Sequence, residues 1–284
     1  MPTAKELIDA DPRMQRHLDD SALYADLRTL LPRADLDGRS YYIVEGDIFL
    51  DVADDDLGLY VIGIEAPHLV PSADDGPKHL VAIDDGTGKP LSWPGGLVLS
   101  YCVARETFDD DGQHRSVVGH MRTATGDWES VCGVTFEHRA DLDAPGALRT
   151  GVLFCVKRAP LPPGVLARAF FPNAPAPDRV VSIGASYFGA HGHPPEGILR
   201  HELGHVLGFR HEHIRSGAPR IFPRENTAGT IDMTVYDAKS VMHYAYWNHP
   251  IYGDVGTLKL EISPLDAEGA RRIYGPGRPR AGGA

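Results

Sequence analysis

The residues with the clearest chemical potential lie in the segment HELGHVLGFRHEH, residues 201–213, which contains four histidines and two glutamates. If the first part of this segment is helical, His201 and His205 lie about 6 Å apart along the axis and about 40° apart around it. Two imidazoles placed in this way can bind one metal ion, each at roughly 2.0–2.1 Å. Glu202 projects from the neighbouring face, from which its carboxylate can reach a metal-bound water.

A third ligand is expected from beyond this helix. In a continuous helix, His211 would lie about 15 Å beyond His201 and could not share its ion. Gly208 resolves this difficulty, because glycine can adopt a left-handed conformation that ends a helix and lets the chain turn back. The extended pattern HExxHxxGxxH is more specific than HExxH alone. It predicts a site with three histidine ligands and an open fourth position, which favours Zn²⁺.

The extended motif, together with SVMHY at residues 240–244, resembles the metzincin zinc endopeptidases. Metzincins have a methionine-containing turn beneath the metal, and Met242 occupies that position. The astacin family is the most similar subgroup, because its members carry a glutamate after the third histidine and a tyrosine two residues after the methionine. Glu212 and Tyr244 match these positions. The sequence departs from the astacins in IRSGAPR (residues 214–220) and in its missing cysteine pairs, so it is most similar to a divergent, bacterial-type astacin.

The resemblance implies an endopeptidase whose partner is a protein or peptide substrate. Zinc would lower the pKa of its bound water toward ~7, and Glu202 would act as the general base. Tyr244 would bind zinc or support the developing oxyanion, with packing under the turn as the alternative. Met242 is expected to pack beneath the site, because thioethers suit softer metals. Glu212 is expected either to meet the N-terminus formed on activation or to be a solvated surface carboxylate.

A second motif lies upstream, in YYIVEGDIFLD at residues 41–51. Astacin prosegments contain an FxGD-type element whose aspartate binds the zinc in place of water and keeps the enzyme latent. VEGDI is similar, with Val44 in place of the aromatic residue, Gly46 allowing close backbone approach and Asp47 as the ligand. The alternative is a strand followed by an ordinary Gly-Asp turn. Because the motif precedes the catalytic pattern, as a prosegment should, we favour the latency plug.

The elements around these motifs indicate an α+β fold. The apolar run LVLSYCV, residues 97–103, predicts a strand, and residues 114–133 have the three- and four-residue apolar spacing of an amphipathic helix. We expect a metzincin-like domain with a twisted mixed β-sheet, a backing helix, an active-site helix and an irregular C-terminal subdomain. The other predicted elements are the short strands VTFEHR, GVLFCVKR, LARAFFP and RVVSIGAS, and a last helix in SPLDAEGARRIYG, capped by Ser263, begun by Pro264 and ended by Gly275.

The segment PSADDGPKHLVAIDDGTGKPLSWPGG, residues 71–96, is rich in Gly, Pro and Asp, as domain boundaries are. We therefore predict a prosegment-like region at residues 1–87 and a metzincin-like zinc peptidase domain at residues 88–284. AFFP, residues 169–172, is expected to form the upper rim of the cleft, where an extended substrate pairs as an added strand.

Composition excludes several other classes of protein. The 284 residues suffice for one large domain or two modest ones, and the formal net charge of -11 argues against nucleic acid or an anionic membrane as a partner. There is no apolar run long enough for a membrane span and no apolar leader at the N-terminus, although the resemblance implies action outside the cytoplasm. Cys102, Cys132 and Cys155 lie in or beside apolar runs and are expected to be buried free thiols.

A second class of function remains open at this point. The chain could be a catalytically silent or permanently self-inhibited zinc-containing module that binds proteins. Glu202 argues against it, because a purely structural metal site needs no base and would usually fill its fourth position with a ligand. A monomer is the favoured oligomeric state.

Overall fold

The structure is a computed structural model that describes residues 4–31, 33–36, 38–44, 48–65, 80–83, 89–147, 149–189, 191–214, 230–234, 236–244, 246–249 and 253–278. The helices are α1 (Ala4–Ala10), α2 (Pro12–Asp20), α3 (Ala22–Leu30), α4 (Asp56–Glu65), α5 (Asp111–Val131), α6 (Pro195–Val206) and α7 (Pro264–Tyr274). The strands are β1 (Arg33–Leu36), β2 (Arg39–Val44), β3 (Ile48–Asp51), β4 (Leu80–Ile83), β5 (Val98–Val103), β6 (Thr135–His138), β7 (Phe154–Arg158), β8 (Ala167–Arg168), β9 (Val180–Ile183), β10 (Thr230–Met233), β11 (Tyr246–His249) and β12 (Gly253–Val255).

The central sheet has the strand order β6-β5-β7-β9-β8. Its first four strands are parallel, and β8 closes one edge in the antiparallel direction. A parallel neighbour requires a crossover connection, and α5 provides the one between β5 and β6. Mixed pairing, with helices against the sheet, confirms the predicted α+β class.

Helix α5 packs behind the sheet as its apolar spacing predicts. Asp110 caps the helix by accepting a hydrogen bond from the backbone N–H of Gln113 at 2.9 Å. The apolar residues at three- and four-residue spacing, Val117, Met121, Ala124 and Trp128, are all fully buried. This stripe meets β5 on one side and α6 on the other, so the motif helix lies within the main hydrophobic core.

One predicted strand is much shorter than expected. LARAFFP was predicted to be a strand whose last residues form the cleft rim, but β8 contains only Ala167 and Arg168. Phe170 is buried against Trp93 and Phe154 instead, with ring centroids 6.5 and 5.7 Å away. Burial of this aromatic ring takes the chain out of the sheet, and Pro172 has no N–H with which to continue a ladder.

The N-terminal residues have a hydrophobic cluster of their own, formed by α1, α2, α4 and the hairpin β2–β3. Its members are Ile8, Met14, Leu18, Tyr42, Leu57, Val61 and Ile62. The predicted loop-rich segment contains one strand, β4, which pairs with β10 and makes an antiparallel bridge from Ala82 to Phe209. Ala82 belongs to the main core. Residues 45–47, including Gly46 and Asp47, lie outside the described residues.

The C-terminal helix has the predicted boundaries. Ser263 and Asp266 form a reciprocal capping box, Pro264 occupies the first turn, and Gly275 ends the helix with φ of 78°. Within the part of the chain that the structure describes, no helix is both long and apolar enough to cross a membrane.

Candidate metal centre

Helix α6 is buried from Gly197 to Val206. The indole N–H of Trp128 donates to the carbonyl of Arg200 at 2.9 Å, and the Arg200 guanidinium binds the carboxylate of Asp127 at 2.7 Å. Gly204 lets the helix approach a neighbouring turn closely, since a Cβ there would lie 2.3 Å from the sulfur of Met242. The helix is therefore fixed on several sides, which suits an element that positions ligands.

The three predicted metal ligands converge. One ligand atom from each of His201, His205 and His211 lies within 4.8 Å of the other two. The Nε2 atom of His211 is 3.1 Å from that of His201 and 3.2 Å from that of His205. Tetrahedral ligands at 2.0–2.1 Å from one ion would be about 3.3 Å apart, so these separations match the edges of a coordination shell.

The hydrogen bonds at Nδ1 leave two of these Nε2 atoms as lone-pair donors when the rings are neutral. The Nδ1–H of His201 donates to the carbonyl of Val241 at 2.7 Å, and the Nδ1–H of His205 donates to the carbonyl of Phe209 at 2.7 Å. A carbonyl can only accept, so in the neutral rings Nε2 carries the lone pair. All three histidines are at most 5% exposed. Lone pairs directed at one buried point fit a divalent cation.

The reversal after α6 forms at Gly208, as predicted. Gly208 has φ of 94°, and a Cβ there would lie 2.4 Å from the carbonyl oxygen of Leu91. The N–H of Phe209 bonds to the carbonyl of Gly204 and the N–H of Gly208 to that of His205, both at 2.9 Å. This is the hydrogen-bond pattern of a Schellman motif. The same turn places the Phe209 carbonyl where it orients His205.

The turn at residues 240–244 lies directly beneath α6. Met242 is fully buried, and its carbonyl accepts the N–H of Glu212 at 2.9 Å. The neighbouring Val241 supplies the carbonyl that orients His201. Met242 thus packs against the helix at Gly204, and its role as the Met-turn residue remains a prediction.

Asp266 of α7 holds this turn, a role that sequence reasoning missed. Its carboxylate accepts the hydroxyl of Ser240 at 2.6 Å and the N–H groups of Val241 and Ser263 at 2.7 and 2.9 Å. Complete burial raises the pKa of Asp266 to about 6. The capping box identifies Asp266 as a helix-capping residue from sequence, but nothing local predicts that it also binds the turn.

The predicted general base and tyrosine lie at the same centre. Glu202 is 2% exposed and lies on α6 between the two helical ligands. The ring of Tyr244 is half-buried, with its centroid 4.5 Å from that of His211 and 6.0 Å from that of His201. The structure thus brings both residues to the histidines, and their chemical roles remain predictions.

Glu212 is completely buried, which is inconsistent with the expectation of a solvated surface carboxylate. Its Oε1 accepts the backbone N–H of Asp237 at 2.9 Å, and its own N–H is bound by the Met242 turn. These contacts hold Glu212 against the turn and out of solvent. The other expectation, a contact with a newly formed N-terminus, remains a prediction.

Two histidines that no spacing singled out also belong to this region. The ring of His213 packs against both His211 and Tyr244, at centroid distances of 5.1 and 4.7 Å. His243 donates from Nδ1 to the carbonyl of Tyr244 at 2.7 Å and accepts the hydroxyl of Tyr236 at 3.0 Å. Burial lowers the pKa of His243 to about 4, so the ring is neutral at pH 7. Both histidines help to define the surroundings of Tyr244.

Comparison with known proteins shows that part of the chain is similar to metallopeptidases. Residues 146–217 match the model of a family described as the dual-action HEIGH metallo-peptidases. A stretch of 63 residues is 43% identical to the zinc metalloproteinase nas-2 of Caenorhabditis elegans, and it covers 19% of this chain and 22% of that protein. The chain therefore spans about a fifth of the length of this relative.

Two solved structures are partly similar. Myroilysin is 16% identical, with 68% of this chain and 98% of that chain covered and a TM-score of 0.47. High choriolytic enzyme 1, a hatching enzyme zinc-protease from Oryzias latipes, is 18% identical, with 65% and 94% covered and a TM-score of 0.44. The family match contains α6 and all three converging histidines. The resemblance to a metallopeptidase is confirmed over residues 146–217 by this match.

Proposed function

We propose that this chain is a zinc-dependent endopeptidase, with Zn²⁺ held by His201, His205 and His211. One observation carries the proposal: three buried imidazoles meet at coordination distance, within a segment that matches a metallo-peptidase family. When bound, zinc supplies an acidified water and polarises the carbonyl of the peptide to be cut. Three protein ligands leave a fourth position for that water.

Glu202 is the proposed general base. It follows His201 on α6, so its carboxylate leaves the helix beside the ligand pair rather than in line with it. The carboxylate takes the proton of the attacking water and delivers it to the nitrogen of the leaving amine. Its burial keeps this exchange away from bulk solvent.

Tyr244 is the proposed oxyanion donor. Its ring is packed against His211 and His213, and its carbonyl is fixed by His243. A phenol held in this way can donate its hydroxyl proton to the oxygen on which negative charge develops. Direct binding of the same hydroxyl to zinc in the resting enzyme is part of the proposal.

An extended peptide is the proposed substrate, bound along the edge of the sheet. Strand β8 is the last strand in the order and runs antiparallel to β9. A peptide can add to such an edge through main-chain hydrogen bonds. Phe171 lies 5.3 Å from His205 between ring centroids, which places the chain after β8 next to the metal ligands.

Residues 1–87 are the proposed prosegment, with Asp47 as the zinc-binding plug. Supporting contacts come from the hairpin β2–β3, whose strands precede and follow residues 45–47 in the sequence. Arg39 forms an ion pair of 3.1 Å with Asp178, and the guanidinium of Arg168 lies 5.2 Å from the ring centre of Tyr41. Because Arg168 belongs to β8, the hairpin lies beside the proposed substrate edge. The Arg39 pair is exposed and contributes at most about 1 kcal/mol, which suits a segment that must leave.

Action outside the cytoplasm is part of this proposal. The domain boundary at residue 87 is also part of it. Two separate hydrophobic clusters support a division of the chain between Ile62 and Ala82, a little before this boundary. Strand β4 lies before the boundary but pairs with β10, so removal of residues 1–87 would leave β10 with an open edge. Activation by cleavage should therefore loosen the region around β10.

Latency is tested with Asp47→Ala on a quenched peptide library. We expect premature hydrolysis in this variant, because the open position on zinc is no longer filled. Asp20→Ala, at an exposed position in the same N-terminal region, is the matched control and should stay latent. Equal latency in both variants would remove the plug from the proposal.

Catalysis is tested in the Asp47→Ala background by zinc analysis and a peptide-library digest, with and without Glu202→Gln. We expect zinc to be retained and hydrolysis to be lost. Glu261→Gln, an exposed carboxylate far along the chain, should change neither. Hydrolysis that survives Glu202→Gln would contradict the assigned base. Zinc without hydrolysis in every background would instead favour the silent or self-inhibited binding module.

A further inference from the structure

Two of the three cysteines face each other across neighbouring strands. Cys102 of β5 and Cys155 of β7 are register partners in the parallel part of the central sheet. Neighbouring strands are about 4.7–4.9 Å apart, which lies inside the Cα–Cα range of about 4.4–6.8 Å that a disulfide spans. Both residues are free thiols in this structure.

Both side chains point to the same face of the sheet. In β5, Leu99, Tyr101 and Val103 belong to the main core, so the alternate residue Cys102 faces the opposite side. In β7, Cys155 stands between two core residues in the same way. The thiols therefore share the face directed away from α5, α6 and the histidines.

The two thiols differ in access and acidity. Cys102 is fully buried, whereas Cys155 is half-buried. Interaction between the two neighbouring thiols lowers the pKa of Cys155 and raises that of Cys102. The guanidinium of Arg149 also lowers the pKa of Cys155, and the Glu106 carboxylate holds this guanidinium in place through two contacts of 2.7 and 2.8 Å. The accessible thiol is thus the better nucleophile, with its partner beside it.

We propose that Cys102 and Cys155 form a dithiol site that a small disulfide oxidant, such as oxidised glutathione, converts to an intramolecular disulfide. The Cys155 thiolate attacks one sulfur of the oxidant, forms a mixed disulfide and releases one glutathione thiol. Cys102 then loses its proton, attacks the Cys155 sulfur and releases the second glutathione. Two protein thiols are oxidised to one disulfide, and one glutathione disulfide is reduced to two thiols.

The oxidation state of this cysteine pair would follow the redox state of the compartment that holds the protein. The pair stays reduced where thiols dominate and closes where disulfides persist. Closure adds a covalent link between β5 and β7, which are already paired by ladder hydrogen bonds. Because the thiols face away from the triad, zinc content should be the same in both states.

The test uses the full-length protein, first reduced and then exposed under native conditions to excess oxidised glutathione. Remaining thiols are alkylated, and the digest is mapped by mass spectrometry. We expect the loss of two hydrogen atoms per chain and a peptide that joins Cys102 to Cys155. Cys132→Ser is the matched control and should give the same cross-link, because Cys132 is fully buried and burial raises its pKa to about 12.

A second variant keeps the test independent of disulfide stability. In Cys102→Ser, the resolving thiol is gone, so we expect a persistent glutathione adduct on Cys155 and on no other residue. Two outcomes would overturn the proposal. One is full alkylation of Cys102 and Cys155 after oxidation of the native protein, and the other is a cross-link that forms only after denaturation. Neither depends on peptidase activity, so the result is separate from the proposed function.

Discussion

Replacement of Asp266 by alanine should weaken zinc binding, although Asp266 contacts no ligand. Its carboxylate binds Ser240 and Val241, and the Val241 carbonyl fixes the tautomer of His201. Asp266→Ala leaves three buried donors without their acceptor, at about 1–3 kcal/mol each before relaxation. Loss of an outer-shell partner of a metal-binding histidine typically costs 10–100-fold in affinity. We therefore expect the zinc dissociation constant to rise by about 10–100-fold.

The assay for this prediction is competition with a chromogenic chelator at pH 7, on protein whose folding is verified by circular dichroism. Asp266→Asn keeps one acceptor oxygen and should lie between wild type and Asp266→Ala. Glu268→Gln changes an exposed carboxylate of the same helix and serves as the matched control. A folded Asp266→Ala variant with the zinc affinity of the wild type would refute the reasoning that connects α7 to His201.

Three further predictions concern packing, pH and metal removal. Gly204→Ala places a Cβ 2.3 Å from the sulfur of buried Met242 and should lower the free energy of unfolding by about 1–3 kcal/mol, as measured by urea titration. In the control Gly119→Ala, in α5, the added Cβ meets nothing within 4 Å, so the same titration should show a neutral or stabilising effect. Burial raises the pKa of Asp56 from 3.8 to about 6, so the folded protein binds the Asp56 proton more tightly than the unfolded chain does. The stability that this proton contributes, at most about 3 kcal/mol, should be present below about pH 4 and lost as the pH rises through 6. Asp56→Asn should flatten that part of the stability profile, and an unchanged profile would be inconsistent with the assignment. Removal of zinc by a chelator should lower Tm, because zinc at about 1,000 times its dissociation constant stabilises by about 4 kcal/mol; His205→Ala should show no such shift.

The metal centre was predictable because its geometry is local. The spacing of His201 and His205 follows from the helical repeat, and Gly208 marks where the chain must reverse. The same holds for the apolar stripe of α5 and the ends of α7, which are set by residues a few positions apart. A linear pattern suffices wherever the contact partners are close in sequence.

Other features depend on contacts between distant residues and could not be read in this way. Asp266 binds a turn 25 residues earlier in the sequence, and the Val241 carbonyl meets His201 across 40 residues. Glu212 looks like part of a polar surface segment, but it is buried because the Met242 turn closes over it. Strand β8 stops early because Phe170 enters the core. In each case tertiary packing overrides the local pattern.

The central claim is that three histidines from one short segment hold a single zinc ion. Equilibrium dialysis followed by elemental analysis tests this most directly, for wild type, His211→Ala and His213→Ala. We predict one zinc per chain in the wild type and in His213→Ala, because His213 packs beside the site without being a ligand. His211→Ala should lose most or all of its zinc under the same conditions. Two results would contradict the account. One is full zinc occupancy in His211→Ala, and the other is a folded His213→Ala variant that loses its zinc while His211→Ala keeps it.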